Sequence, residues 1–153
     1  STSSLSGTGE GADSMRLRLA IRTRAGHWTR TPEIMRRVIL ESPYAGNVER
    51  NVRYARACLR DSLLREEAPI ASHLLYTQPG VLNDEIPEER RQGIEAGLAW
   101  RTVAEASVVY VDLGITPGMA HGIAIARSAG IPVEYRNLPK EQLAEVLSVA
   151  AAA

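Results

Sequence analysis

The chain is short of most features that assign a protein quickly. Cys58 is its one cysteine, so no disulfide framework is possible. An inert thiol on a helix is the plain reading of that residue, and the chain reads as cytoplasmic. No apolar run approaches the roughly 20 residues that cross a bilayer, and there is no signal-peptide pattern. No membrane partner is therefore expected. Charge of one sign is also missing, with 18 Lys plus Arg against 18 Asp plus Glu. That balance speaks against a general nucleic-acid surface, which needs excess positive charge. His27, His73 and His121 are scattered without zinc-like spacing, so no metal is expected. Neither GxGxxG nor GxxxxGK occurs, so no cofactor is implied. There is no internal repeat.

What is present is an alternation of strand-like and helix-like segments. Ser1 to Ser14 is rich in Ser, Gly and Thr and reads as a flexible tail or appended remnant outside the fold. Residues 15–153 read as a single domain, long enough for a real core. Arg16 to Arg22 alternates, with Leu17, Leu19 and Ile21 on one face, as a half-buried edge strand does. Arg37 to Glu41 is a second strand. Val48, Val52, Ala55, Leu59 and Leu63 mark one face of the helix that follows. Ala68 to Ser72 is a third strand, and Leu74 to Asn83 a longer loop. Pro87 opens a helix running to about Ala104, with Glu88 and Glu89 in its first turn, where the helix dipole favours acids. Ile131 to Arg136 is the last strand, and Pro139 opens the last helix.

The stretch Ser107 to Gly122, SVVYVDLGITPGMAHG, is central. Val108 to Val111 reads as a strand buried on both faces. Leu113-Gly114-Ile115 is a turn. Thr116 suits an N-cap and Pro117 a first helical position, while Met119, Ile123 and Ala126 give the helix one apolar face. A helix N-terminus facing back over a strand end offers amides and partial positive charge to an anion. An ordinary strand-loop-helix joint accounts for the same spacing.

This order predicts an α/β fold: a flavodoxin- or Rossmann-like three-layer sandwich. Its mainly parallel five-stranded sheet has order 2-1-3-4 plus the N-terminal edge strand. Ligands of such sheets bind beyond the carboxyl ends of the strands, where strand order reverses. The loops leaving the two strands at that point are Ser42 to Asn47 and Asp112 to Gly118. Both are rich in Gly, Pro, Ser or Thr, and His73 lies at the same edge.

Three segments carry a resemblance. ILESPYAGNVERNVRYAR, APIASHLLY and EASVVYVDLGITPGMAHGIAIARSAGIPV, together spanning roughly Arg37 to Arg136, resemble the nucleoside 2-deoxyribosyltransferase-like superfamily, in an uncharacterised bacterial and phage branch. The resemblance implies a small nucleoside or nucleotide site. It implies cleavage or transfer at the N-glycosidic bond of a deoxyribonucleoside or its 5′-monophosphate, and a homo-oligomer whose neighbours complete each other's sites. Such enzymes use a carboxylate on the second turn of the central helix to trap or stabilise the anomeric carbon. At that position this chain has Gly122, preceded by His121.

The candidates follow, each beside its plain alternative. Asp112, His121 and Glu95 are the candidate catalytic groups; Asp112 also suits bracing its turn, and His121 a structural place. Ser42, Pro43, Tyr44, Gly46, Asn47, His73, Gly114, Thr116, Gly118, Met119 and Gly122 are the candidate ligand contacts. Ser42 and Thr116 would serve equally as loop brace and cap, and Tyr44 would either stack on a base or pack in the core. Arg101 is either an anion clamp or an exposed helix residue. Three functions are open: a nucleotide N-glycosidase or deoxyribosyltransferase-like enzyme with a relocated acid, a nucleotide-binding module without turnover, and a structural protein with a vestigial pocket.

Overall fold

The computed structural model describes residues 21–22, 28–29 and 35–148. The chain divides into two units, Ser1–Met35 and Arg36–Ala153. In the first, β1 (Ile21–Arg22) pairs antiparallel with β2 (Trp28–Thr29). The second begins with β3 (Arg36–Glu41), α1 (Val48–Leu64), β4 (Glu67–Ile70) and the short α2 (Ser72–Leu75). It continues with α3 (Pro87–Ala99), a 3-10 turn (Trp100–Val103) and β5 (Ala106–Tyr110), then α4 (Pro117–Ser128), β6 (Val133–Arg136) and α5 (Lys140–Ser148).

The fold is α/β, with a parallel sheet in the order β4-β3-β5-β6 flanked by helices, a Rossmann-like sandwich. Counted within the sheet this is 2-1-3-4, as the alternation predicts. The expected fifth strand is not in it among the described residues. Ile21–Arg22 pairs with β2 instead, and Arg16–Ala20, the tail and His27 lie outside the described residues. Alternation specifies a strand's faces but not its partner. A further difference is that Ser72 and the residues after it open α2, where a strand end and loop are expected.

The central strands are buried on both faces. Val38, Leu40, Val108 and Tyr110 pack into a core with Tyr54 and Cys58 of α1 and Val146 of α5. Val109 faces the other way, onto Met119 and Ile123 of α4. Connections leave β3 and β5 in opposite directions, because β4 and β6 lie on opposite sides of that pair. A crevice at the carboxyl ends of β3 and β5 is the geometric result.

The buried face of α1 is rotated from the one that apolar spacing predicts. Asn51, Tyr54, Ala55, Cys58, Asp61 and Ser62 are inside, while Leu63 is 55% exposed. The polar members are buried because each has a partner. Asn51 Nδ2 donates to the carbonyls of Tyr44 and Ala45 at 2.9 and 3.1 Å. Tyr110 donates to Asp61 at 2.6 Å, and Ser62 to Glu67 at 2.7 Å. A satisfied polar group costs little to bury, so counting apolar residues misplaces the helix. Leu63→Ala is therefore expected to change stability by no more than about 0.5 kcal/mol, and Tyr54→Ala to cost about 3–5 kcal/mol. Urea unfolding of both variants measures this, and equal losses would return the buried face to Leu63.

Candidate functional site

The loop leaving β3 turns through Gly46, whose φ of +99° suits glycine alone. Asn47 then caps α1, its side chain accepting from Arg50 N at 3.2 Å. The loop leaving β5 turns at Gly114, φ +83°, whose N–H reaches the carbonyl of Val111 at 3.0 Å. Thr116 then caps α4, its hydroxyl accepting from Met119 N at 3.3 Å, with Pro117 at the first helical position. The β4 end delivers His73 on α2. Ser42, Tyr44 and Gly46 from the first loop, Thr116, Gly118, Met119, His121 and Gly122 from the second, and His73 line one cleft of about 440 Å³. Tyr76, Leu82, Ile94 and Leu98 form its apolar wall. Ligand clefts commonly fall in the range of about 300–1,000 Å³.

Five of the candidates lie elsewhere. Pro43 is buried behind the loop, and Asn47 and Gly114 are committed to the cap and the turn. Glu95 is exposed on α3, where it accepts from Arg91 at 3.1 Å. Asp112 is turned to the other face of the sheet. It accepts from Tyr54 Oη at 2.6 Å, Asn137 Nδ2 at 3.0 Å and Leu138 N at 3.0 Å. Burial pushes its carboxyl up, but those hydrogen bonds outweigh burial and hold it below its usual range. Asp112 thus braces the chain after β6, and neither it nor Glu95 is an acid of this cleft.

The carboxylate most deeply placed among those lining the cleft, beside Asp84 and Glu89, is Glu41, the last residue of β3. It accepts from Arg101 Nη2 at 2.9 Å, and both side chains are largely buried. Burial pushes Glu41 up to about 7, against the pull of Arg101. Arg101, only 6% exposed, has Nε and Nη1 buried without a hydrogen-bond partner. Gly122 leaves room for this pair where it stands: a Cβ there would lie 2.4 Å from Glu41 Oε1 and 3.0 Å from Arg101 Nη2. Of the two readings open for Arg101, the exposed helix residue is excluded by its burial. Glu41 had a signal, since a charged residue closing the apolar run Val38-Ile39-Leu40 sits at a strand's carboxyl end.

Ser42 Oγ and His73 Nε2 are hydrogen-bonded at 2.7 Å, the donor being set by the imidazole tautomer. Desolvation holds His73 down at about 4, so the ring is neutral at pH 7. Among the described residues no carboxylate bonds the ring, so the pair forms a neutral polar wall rather than an activated nucleophile. At the outer rim Arg90 pairs with Asp84, and Glu89 accepts from Asn83 N. Among the described residues no group of three or more His, Cys, Asp or Glu is placed to hold a metal ion. No helix among them is long and apolar enough to cross a membrane.

Residues 36–136 match a family described as Domain of unknown function (DUF7768). The chain belongs to this family. Its matched span begins with β3 and ends with β6, so it contains every residue that lines the cleft. No curated protein and no solved structure matches the chain.

The two buried groups act on stability in opposite directions. Glu41 is raised from 4.5 to about 7, so its contribution is full below 4.5 and lost as pH rises through about 7. His73 is lowered from 6.5 to about 4, so its contribution is full above 6.5 and lost as pH falls through about 4. Urea unfolding across that range is expected to show a reduced loss of stability on the alkaline side in Glu41→Gln and on the acid side in His73→Asn. Unchanged slopes in either variant would mean that group titrates normally.

Proposed function

We propose that the cleft binds a deoxyribonucleoside or its 5′-monophosphate and acts at the N-glycosidic bond, by hydrolysis or by transfer to a second base. The observation that carries this reading is the meeting of the Ser42–Gly46 and Thr116–Gly122 stretches over one cleft with a buried carboxylate in it. Sugar hydroxyls suit the neutral Ser42–His73 wall, and a base suits the Tyr44, Tyr76 and Leu82 side. The start of α4 supplies the positive end of a helix dipole for a phosphate or for a developing negative charge. Among the described residues that line the cleft, Arg90 and Arg101 are each paired to a carboxylate and add no free cation to it. The parent nucleoside is accordingly expected to bind at least as well as the monophosphate.

The resemblance to nucleoside 2-deoxyribosyltransferases also favours a cytoplasmic homo-oligomer. α3 buries none of its residues, and Ile94, Trp100 and Val103 stand exposed on it and on the turn after it.

Incubating the protein with the common deoxyribonucleosides and their 5′-monophosphates, with and without a second free base, is expected to release or exchange base. Chromatography of the products reads this directly. Ligand-induced rises in melting temperature without any base release would leave a binding module, and no response in either assay would remove the nucleoside reading.

A further inference from the structure

Gly122 stands on the second turn of α4, on the side of the helix that faces the cleft. A side chain of any kind there would collide with Glu41, because even a Cβ comes within 2.4 Å of Oε1 and 2.9 Å of Cδ. The space a helix side chain would fill is thus occupied by a carboxylate from the neighbouring strand. We propose that Glu41, delivered from β3 through the gap left by Gly122, is the nucleophile that takes the sugar. This assignment rests on the nucleoside reading above.

Three features support it. Glu41 is the largely buried carboxylate of the cleft; Asp84 and Glu89, the others that line it, lie at the rim with Arg90 and Asn83. Arg101 Nη2 donates to Oε1 at 2.9 Å, and among the described residues no donor to Oε2 is found. Arg101 itself has two buried nitrogens with no partner, which is unusual for a guanidinium and marks the pair as incompletely satisfied. A structural ion pair gains from satisfying every donor. Here the guanidinium holds one oxygen in place and opposes the burial that disfavours the ionised carboxylate, the form a nucleophile requires.

The chemistry balances without a further reagent. A Glu41 oxygen forms a bond to C1′ as the bond from C1′ to the base nitrogen breaks, its electron pair leaving with the base. The base takes a proton from water or from His121, which also lines the cleft. Water, or a second base, then attacks C1′ and gives up its proton to solvent or to His121, as the ester bond to Glu41 breaks and its electron pair returns to the carboxylate. Two displacements give retention at the anomeric carbon.

The test uses the full chain and a 2′-fluoroarabino nucleoside, whose fluorine slows breakdown of a glycosyl-enzyme. Mass spectrometry is expected to find the sugar attached to the peptide bearing Glu41. Base release is expected to fall about 100-fold or more in Glu41→Gln. That variant keeps an acceptor for Arg101 and is expected to keep the ligand-induced rise in melting temperature. Gly122→Ala, whose methyl group displaces Glu41, is expected to lose activity as well while its fold persists. Base release at the wild-type rate by Glu41→Gln, or an adduct on another residue, would overturn the assignment and leave the nucleoside reading standing. Failure of the wild-type protein to release any base would overturn the assignment, and an unmoved melting temperature with every nucleoside and monophosphate as well would overturn the nucleoside reading.

Discussion

The close approach of Glu41 to the backbone of Gly122 is the constraint on which the site depends. A helix and a strand end come together there with only a hydrogen atom on the helix side. A Cβ in that gap would force the Glu41 carboxylate, which is paired with Arg101, to shift. A buried guanidinium left unpaired is costly, so the Glu41–Arg101 pair also ties the 3-10 turn that carries Arg101 to the end of β3. Through it one glycine ties β3, the 3-10 turn and α4 to a single point on the cleft wall.

The two faces of the sheet divide the work. On the α1 and α5 face the polar groups are committed to holding the chain. Asp112 gathers bonds from Tyr54, Asn137 and Leu138, and Arg136 donates to both oxygens of Glu67. On the cleft face the polar groups are held but left incomplete: Ser42 by His73, Glu41 by Arg101. The first loop is fixed from behind, by Asn51 on two of its carbonyls. The second is fixed by the Thr116 cap. Rigid support from one face leaves the other free to present groups to a ligand without a large ordering cost on binding.

The parallel sheet of four strands, its strand order and the two loops beside the strand reversal were readable from periodicity and turn residues. Those signals are local: Val38-Ile39-Leu40 marks a doubly buried strand, and Thr116-Pro117 a helix start, whatever the rest of the chain does. The role of Asp112 was not readable in the same way. Its position beside a Gly turn at a strand end fits both a sugar contact and a brace, and the choice depends on Tyr54, 58 residues away in sequence. Arg101 looks like a surface residue by composition, and only the depth of the cleft places it inside. The face of α1 was misplaced because Asn51, Asp61 and Ser62 count as polar in any pattern, although their partners make them part of the interior.

The most direct measurement is a crystal structure with a non-cleavable deoxyribonucleoside analogue bound. The sugar is expected in the cleft between Ser42 and Thr116, with its anomeric carbon about 3–3.5 Å from a Glu41 oxygen. An analogue bound away from this cleft, or seated in it with Glu41 turned from the sugar, would contradict the account.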